Sequence, residues 1–257
     1  FGGWYESAEY MRLISLTRAL YEKELKTRIR SASEIAVVLD ETSSYYTTLD
    51  TFYAAVYEQI LSLGYLGAPY DLLAIDDVRK MQNVKNKGGS GGNNAYKAYI
   101  FLAPAPVKKN EKLIETLAES SKSVIVTGDE TGMFASALSR AGNSARYIEK
   151  SCFAARKKAD IGEMIAALRR AKVHIYSAGN IVYANRKYIA VTARESGNAG
   201  IRMRTNAVLI DCLTGEKLCA AAKNIAIFMK KNECRLFEIQ PIAKNKAKNA
   251  AKGGARR

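Results

Sequence analysis

The sequence predicts an α/β fold, in which a parallel sheet covered by helices on both faces is followed by a small antiparallel β domain. Two observations support this prediction. Up to about residue 178, short and almost entirely apolar runs alternate with amphipathic stretches, as expected for strands buried on both faces of a parallel sheet. From residue 179 onward, strand-like runs follow one another through polar or Gly-containing turns, without a helix between them.

The first helix is predicted to begin at Ser7, whose hydroxyl is placed to cap it. Apolar side chains then recur at helical spacing, at Tyr10, Leu13, Ile14, Leu20 and Tyr21. This pattern indicates a helix with one apolar side that packs on another surface.

Five buried strands are predicted from short apolar runs, at 34–40, 70–76, 99–103, 123–128 and 173–177. Three further helices lie between them. The first begins at Asp50, places Phe52, Val56, Ile60 and Leu63 on one face and stops at Gly64. The second covers 107–120. The third begins at Asp160, with Glu163 in a capping-box-like arrangement, and carries Ile161, Met164, Ile165 and Leu168.

Composition sets broad limits on the class of protein. Hydrophobic residues make up 48% of the 257 residues, which can supply the core of one large domain or two smaller ones. No long unbroken apolar run of the kind that spans a bilayer occurs, so the sequence predicts neither a membrane-spanning helix nor a membrane partner.

Charge is unevenly distributed along the chain. Basic residues outnumber acidic ones by 40 to 25, which gives a formal net charge of +15 and favours an acidic partner. Six of the basic residues lie in 241–257, a segment without acidic residues that is predicted to be a disordered tail. Non-specific nucleic-acid binding through this tail is one alternative function. Because the tail has no aromatic side chain to stack on bases, nucleic acid is not the partner that we expect.

The cysteines and the histidine restrict the chemistry. The four cysteines, Cys152, Cys212, Cys219 and Cys234, lack the paired spacing of a zinc site, so we interpret them as free thiols. Free thiols favour a reducing, cytoplasmic location. Because the chain begins without Met, the sequence leaves open whether a signal peptide precedes it. The single histidine, His174, excludes mechanisms that need two imidazoles and is interpreted as a hydrogen-bonded structural residue. No metal site and no cofactor are predicted.

Acidic residues follow three of the predicted strands, where ligands bind in open parallel sheets. They are Asp40 and Glu41, Asp76 and Asp77, and Asp129 and Glu130. Paired carboxylates can act as acid and base, as in glycoside hydrolysis. Carboxylates at strand ends also commonly cap helices, and this is our interpretation here. A stand-alone amidotransferase-like enzyme or a small-ligand binder that uses this carboxylate edge stays an alternative.

Two further motifs do not fit a catalytic role. An amidotransferase needs a cysteine on a sharp strand-to-helix turn, but the turn GDETG has none and Cys152 lacks flanking glycines. The stretch NKGGSGGNN at 86–94 neither opens a helix nor ends in the GK[ST] of a phosphate loop, so it is predicted to be a flexible loop.

Ordered blocks along the chain resemble the C-terminal half of large bacterial β-galactosidases, which carry a flavodoxin-like or amidotransferase-like trimerisation domain and a small β-sandwich after a TIM barrel. The likeness covers almost the whole chain except the GGSGG loop and the basic tail. The blocks are FGGWYESAEYMRLISLTRALYEKEL, SASEIAVVLDE, LSLGYLGAPYDLLAIDDV, YKAYIFLA, AKVHIYSAGNIVYANRKYIAVTA, LIDCLTGEKL and ECRLFEI.

The resemblance implies a division of the chain into four parts. Residues 1–30 would form the end of an upstream barrel and a linking helix, and 31–178 a flavodoxin-like parallel sheet with helices on both faces. Residues 179–240 would form the small antiparallel β-sandwich, and 241–257 the basic tail.

The resemblance also implies a function. In such enzymes two barrel glutamates act as acid/base and nucleophile, and no position here matches either of them. The chain is therefore expected to be a non-catalytic region of a glycoside hydrolase of carbohydrate metabolism, without catalytic residues. Its expected partners are the upstream barrel of the same polypeptide, further copies in a homo-oligomer, and the carbohydrate substrate of the full enzyme. Trp4 and Tyr5 are candidate remnants of the sugar-facing wall, since aromatic faces stack on sugar rings, or they pack the first helix to the domain.

Overall fold

A computed structural model describes most of the chain, namely residues 7–27, 29, 31–86, 96–103, 105, 107–120, 122–129, 131–144, 152–155, 158–218 and 222–242. Several predictions lie outside the described residues. They concern Trp4, Tyr5, Glu130, Cys219, the glycines of the GGSGG loop and the basic tail after residue 242.

The first unit is built on five parallel strands. They are β1 (Ile35–Leu39), β2 (Tyr70–Ala74), β3 (Ala98–Leu102), β4 (Ser123–Thr127) and β5 (Phe153–Ala155). Their order in the sheet is β2-β1-β3-β4-β5, with every neighbouring pair parallel. This is the strand order of a flavodoxin-like fold, in which the order of the strands across the sheet reverses between β1 and β3. The predicted fold class is confirmed.

The helices are α1 (Ala8–Glu24), α2 (Glu41–Ser44), α3 (Leu49–Phe52), α4 (Glu58–Leu63), α5 (Ile75–Asn86), α6 (Lys108–Glu119), α7 (Met133–Ser144) and α8 (Ile161–Arg170). A π-helical turn, Tyr53–Tyr57, joins α3 to α4, so 49–63 is one continuous helical stretch. Helix α3 begins one residue before the predicted Asp50, because the Thr48 hydroxyl accepts a hydrogen bond from the Thr51 amide and caps it.

Apolar side chains of the sheet point alternately to two cores, as the pleat requires. On one face, Val37 and Ile100 pack with Val56 of the 49–63 stretch and with Met164 of α8. On the other face, Phe101 and Val126 pack with side chains from α5, α6 and α7. Helices thus cover both faces, and the predicted buried face of the 49–63 stretch, Phe52, Val56, Ile60 and Leu63, is confirmed.

The predicted caps of α1 and α8 are confirmed. The Ser7 hydroxyl accepts a hydrogen bond from the Tyr10 amide at 3.1 Å. The Asp160 carboxylate accepts one from the Glu163 amide at 3.0 Å. Each cap satisfies a backbone donor that the first helical turn leaves without a partner.

The predicted fifth strand at 173–177 is wrong, because β5 is the short run 153–155. Val173 and Ile175 are buried as predicted, but the backbone here joins no ladder. Instead, the amides of Tyr176 and Ser177 both donate to the carbonyl of Gly67, at 2.8 and 3.0 Å. The periodicity of apolar residues correctly predicted which side chains are buried. It could not show which backbone groups the 173–177 segment would hydrogen-bond to.

The helical stretch after α4 ends at Gly67 rather than at the predicted Gly64. A short 3₁₀ turn, Gly64–Leu66, continues it, and Gly67 then adopts a left-handed conformation with φ of 72°. A Cβ atom at this position would lie 2.0 Å from the carbonyl oxygen of Ser177. Glycine is therefore required at this position for two reasons, namely the left-handed backbone conformation and the close approach of the 173–177 segment.

The second unit is a five-stranded antiparallel sheet of order β6-β7-β10-β8-β9. Its strands are β6 (Ile181–Ala184), β7 (Tyr188–Thr192), β8 (Gly197–Asp211), β9 (Ala222–Met229) and β10 (Cys234–Pro241). One face carries the apolar core, which includes Ile201, Leu209 and Phe237. Among the described residues, no helix is long and apolar enough to cross a bilayer.

Candidate functional site

Asp40 follows β1 at the carboxyl edge of the parallel sheet and is fully buried. Its Oδ1 accepts hydrogen bonds from the Ser43 amide at 3.2 Å and from the Thr42 hydroxyl at 3.0 Å, so Asp40 caps α2. Its Oδ2 accepts a hydrogen bond from the side-chain amide of Asn110 in α6, and the Asn110 Oδ1 accepts one from Arg79 in α5. The carboxylate therefore has partners on both oxygens and links three helices.

Asp129 follows β4 at the same edge and is also buried. Its two carboxylate oxygens accept hydrogen bonds from the backbone amides of Phe134 at 3.2 Å and Ala135 at 2.8 Å. Asp129 thus satisfies donors at the start of α7. The neighbouring Glu130 lies outside the described residues.

The remaining predicted acids of this edge are exposed. Asp76 and Asp77 lie in the first turn of α5 and pair with Arg79 and Lys80, three residues further along the helix. Glu41 lies in the first turn of α2. Acidic residues at these positions stabilise the positive end of a helix.

The structure gives Asp40 and Asp129 the contacts of helix caps and Asp76 and Asp77 those of surface ion pairs. A ligand or acid–base site on this edge stays a prediction. The contacts of Asn110 with Asp40 and with Arg79 were not predicted, because Asn110 lies 70 residues beyond Asp40 in the chain and no local pattern connects these residues. No group of three or more potential metal ligands occurs within the described part of the chain.

His174 lies in the segment that leads from α8 to the second unit. Its Nε2 lies 2.8 Å from the carbonyl oxygen of Arg202, which can only accept, so Nε2 carries the proton. Burial lowers the pKa of His174 and outweighs the opposing effect of this hydrogen bond. The ring packs edge-on against Tyr176 at 4.4 Å. The prediction of a hydrogen-bonded structural histidine is confirmed.

The cysteines that the structure describes, Cys152, Cys212 and Cys234, are free thiols as predicted. The Cys152 sulfur lies 3.3 Å from the Val124 amide, next to the edge of β4. Burial raises the pKa of the Cys212 thiol, which keeps it protonated and unreactive at neutral pH.

The junction of the two units centres on Glu34. Its carboxylate accepts hydrogen bonds from the Arg204 guanidinium at 2.8 Å and from the His174 backbone amide at 2.8 Å. The Lys97 ammonium lies 2.7 Å away. Burial alone would raise the pKa of Glu34, but these partners outweigh it and lower the pKa to about 2. The ion pairs hold β8 of the second unit to the start of β1.

Helix α1 exposes an apolar surface that neither sheet covers. None of its residues is buried, and its outward-facing apolar side chains are 42–65% exposed. These side chains form what we call the α1 face, and they are Met11, Leu13, Ile14 and Tyr21, with Leu25 directly after the helix. The end of the helix is attached to β7, where Glu24 accepts a hydrogen bond from the Tyr188 hydroxyl at 2.7 Å.

A second exposed apolar surface, which we call the tyrosine ridge, was not predicted. It consists of Leu49, Tyr53, Tyr57 and Leu61, which are 49–80% exposed. Successive members of this set lie four positions apart, so they form a line along the helical stretch, beside its buried face and about 100° round the helix from it. The rings of Tyr53 and Tyr57 stack with centroids 4.9 Å apart. The spacing is visible in the sequence and could have identified the ridge.

Comparisons with known proteins add a likeness of fold. No protein-family model matches the chain, and no curated protein matches it in sequence. Among solved structures, a β-galactosidase from Bacillus circulans sp. alkalophilus is similar over 90% of this chain and 44% of that chain, with a TM-score of 0.55 and 10% identity. A rhamnosidase from Novosphingobium sp. PP1Y is similar over 92% of this chain and 25% of that chain, with a TM-score of 0.47 and 9% identity.

The chain spans less than half the length of either solved structure. At 10% identity, the match to the β-galactosidase shows a shared fold and carries no residue assignments. The match extends over both units, so the parallel sheet followed by the antiparallel sheet also occurs within a longer chain described as a β-galactosidase.

Proposed function

We propose that the chain is the non-catalytic C-terminal region of a β-galactosidase-like glycoside hydrolase. In this arrangement the chain packs on an upstream catalytic barrel of the same polypeptide and contributes to a homo-oligomer. The fold match over 90% of this chain and 44% of the β-galactosidase supports the idea of a part within a larger enzyme.

The observation that carries the proposal is the exposed α1 face. A helix of 17 residues with no buried side chain gains little stability from its own packing, and isolated helices of this length are marginal in water. Covering the α1 face would remove several large apolar side chains from water, at about 25 cal/mol for each Å² of apolar area. The upstream barrel would supply that cover, because α1 lies at the N-terminal side of both sheets in the sequence.

The tyrosine ridge is the surface through which copies of the chain would contact one another in the homo-oligomer. Tyrosine is enriched at protein interfaces, since it brings a large apolar ring and a hydroxyl that tolerates water. The ridge belongs to the first unit and to a different helical stretch from α1, so the two surfaces can have different partners.

The proposal is tested with the polypeptide encoded directly upstream of Phe1, produced separately and mixed with this chain. Sedimentation velocity is expected to show a complex. Ile14→Glu is expected to weaken the complex about tenfold or more, because a charge would be buried in an apolar contact. Ala19→Glu is the matched control, since Ala19 is exposed in the same helix and no residue three or four positions away from it belongs to the α1 face.

The control variant is expected to bind like the wild-type chain. An upstream sequence that does not fold as a barrel, or a complex that is equally stable with Ile14→Glu, would contradict the proposal.

A further inference from the structure

A cleft of about 300 Å³ lies between the free edge of the parallel sheet and the outer face of the antiparallel sheet. We call it the tyrosine cleft. Strand β2, at the edge of the first unit, contributes Tyr70 and Asp71, and β6 and β7 contribute Tyr183 and Ala190. Asn185, in the turn between β6 and β7, completes this set. The volume is at the lower end of the range of small-molecule pockets.

The floor of the cleft is apolar and has a gap in it. In the antiparallel sheet, Ala190 is paired with Tyr183 on one side and with Leu236 on the other. These three side chains therefore form one cross-strand row on the outer face. Because the middle member is small, the row leaves a depression beside the Tyr183 ring, which is 70% exposed.

On one wall of the cleft, the Asp71 carboxylate is a hydrogen-bond acceptor held in a fixed orientation. Its Oδ2 accepts a hydrogen bond from the Tyr96 hydroxyl at 2.7 Å, and its Oδ1 accepts one from the Ser31 hydroxyl at 3.2 Å. The Ser31 oxygen in turn accepts from the Ser33 amide at 3.1 Å. A carboxylate has about four acceptor positions, so these two bonds hold Asp71 in place and leave capacity for a ligand.

The Asn185 side-chain amide is a hydrogen-bond donor held in a fixed orientation. The Asn185 Oδ1 accepts hydrogen bonds from the backbone amides of Lys187 at 2.8 Å and Tyr188 at 2.7 Å. These two bonds occupy the oxygen and fix the amide plane. The Asn185 Nδ2 retains two N–H donors for which the described residues show no partner.

Tyrosine hydroxyls complete the set of polar groups. Burial raises the pKa of Tyr70, and the neighbouring Tyr183 adds to this effect. The Tyr70 hydroxyl therefore keeps its proton at neutral pH and can both donate and accept a hydrogen bond. The cleft thus combines an aromatic face, a charged acceptor and an amide donor within one small volume.

We propose that the tyrosine cleft binds one neutral sugar ring. A pyranose has an apolar C–H face that can lie on the Tyr183 ring, over the depression at Ala190. Its edge carries hydroxyls that both donate and accept, so they can donate to Asp71 and accept from the Asn185 Nδ2. The inference is independent of the proposed barrel contact, because it uses none of the residues of the α1 face.

Two other ligand classes fit less well. An anion would meet the Asp71 carboxylate without a cation among the cleft residues to offset it. An organic cation could lie against Asp71, but a quaternary ammonium group offers no acceptor to the Asn185 Nδ2 donors. A neutral polyhydroxylated ring satisfies both Asp71 and Asn185 without a charge conflict.

The test is a titration of the ¹⁵N-labelled chain with D-galactose, D-glucose and L-rhamnose, followed by NMR. Binding of at least one sugar is expected, with saturable shifts in the millimolar range that include the Asn185 side-chain amide. Tyr183→Ala is expected to weaken binding about fivefold to tenfold, because it removes the stacking face. Ala190→Leu is expected to abolish binding by filling the depression.

Phe228→Ala is the matched control, because Phe228 is an aromatic side chain of β9 that is 66% exposed and lies outside the cleft. It is expected to leave the affinity within about twofold, an energy difference smaller than one stacking contact. The proposal is overturned if none of the three sugars binds, or if Tyr183→Ala binds with wild-type affinity. Saturable binding of choline without sugar binding would also overturn it, in favour of a cation site.

Discussion

Glu34 is the residue on which the contact between the two units most depends. Its carboxylate joins Arg204 of β8, Lys97 before β3 and the backbone of His174, so one side chain connects three distant segments. The side chain is 12% exposed, and its pKa is lowered to about 2 by these partners against the opposing effect of burial. Hydrogen bonds to charged groups at such partly buried sites contribute more than those of exposed pairs.

Glu34→Gln is expected to lower the free energy of unfolding at pH 7 by about 2 kcal/mol, because the charged acceptor is lost while the shape is kept. The folded-state pKa of about 2 lies below the ordinary value of 4.5, so the Glu34 contribution is fully present above pH 4.5. It is lost as the pH falls from 4.5 towards 2. Urea unfolding of both proteins across this range is the measurement.

The matched control is Glu195→Gln, since Glu195 forms an exposed ion pair with Lys231 in which its side chain is 68% exposed. This change is expected to alter stability by less than about 0.5 kcal/mol at any pH. A stability difference for Glu34→Gln that stays constant from pH 7 to pH 2 would contradict the assignment of Glu34 as an ionised junction residue.

For single residues, the sequence predicts the position in the fold better than the hydrogen-bond partners. The position of Asp40 at the end of β1 followed from an apolar run that ends in an acid. Its hydrogen bond with Asn110 did not, because it depends on how α6 packs beside β1. Likewise, His174 was predicted to be structural, whereas its contact with Arg202 comes from the docking of the second unit.

Among the elements, the helical stretch 49–63 has two apolar sides with different roles. Phe52, Val56, Ile60 and Leu63 pack into the core, and the tyrosine ridge lies in solvent about 100° further round the helix. A helix needs one apolar side to pack on its own domain, so a second one points to a contact outside this unit.

Tyr57→Glu, made in the Ile14→Glu background to remove the contribution of the α1 face, is expected to weaken self-association about tenfold. The reason is that a carboxylate would replace a ring at the centre of the ridge. Phe228→Glu in the same background changes another exposed aromatic residue, on β9, and is expected to have no comparable effect. Sedimentation equilibrium gives the association constants. Equal effects of the two substitutions would show that the ridge is not the contact.

Element boundaries were predicted most accurately where a cap or an apolar run defines them. Helix α6 at 108–119 lies within the predicted 107–120, and β4 at 123–127 within 123–128. The prediction of a strand at 173–177 was wrong because its alternating apolar residues belong to a buried connecting segment, whose backbone hydrogen-bonds to Gly67. The true β5 has three residues, too few to show a period of two.

For the whole molecule, the parallel sheet covered by helices and the change to antiparallel strands near Gly179 were predictable from the spacing of apolar runs. The flavodoxin-like strand order β2-β1-β3-β4-β5 was expected from the resemblance alone, because right-handed crossovers with helices on both faces are compatible with more than one strand order. The tyrosine cleft and the Glu34 junction were not predictable, because both form between units whose relative position no local pattern encodes.

The purified chain is expected to show no turnover of aryl β-galactosides. Asp40 and Asp129, the buried carboxylates of the sheet edge, accept hydrogen bonds in helix caps, which favours a structural role. An assay with 4-nitrophenyl β-D-galactoside, using material purified from a host strain that lacks β-galactosidase, is the measurement. Turnover that is lost in Asp40→Asn or Asp129→Asn would instead support an enzyme acting at this edge.

The central claim is that the α1 face is covered by an upstream barrel, and the most direct measurement is cysteine labelling at Ile14. Ile14→Cys and the control Ala19→Cys are compared in this chain at low concentration and in the polypeptide of the complete reading frame, each with the exposed Cys234 replaced by serine. We expect Cys at position 14 to react quickly with a maleimide in the isolated chain and about tenfold or more slowly in the complete polypeptide, while Cys at position 19 reacts quickly in both. Equally fast labelling of position 14 in both proteins would contradict the claim.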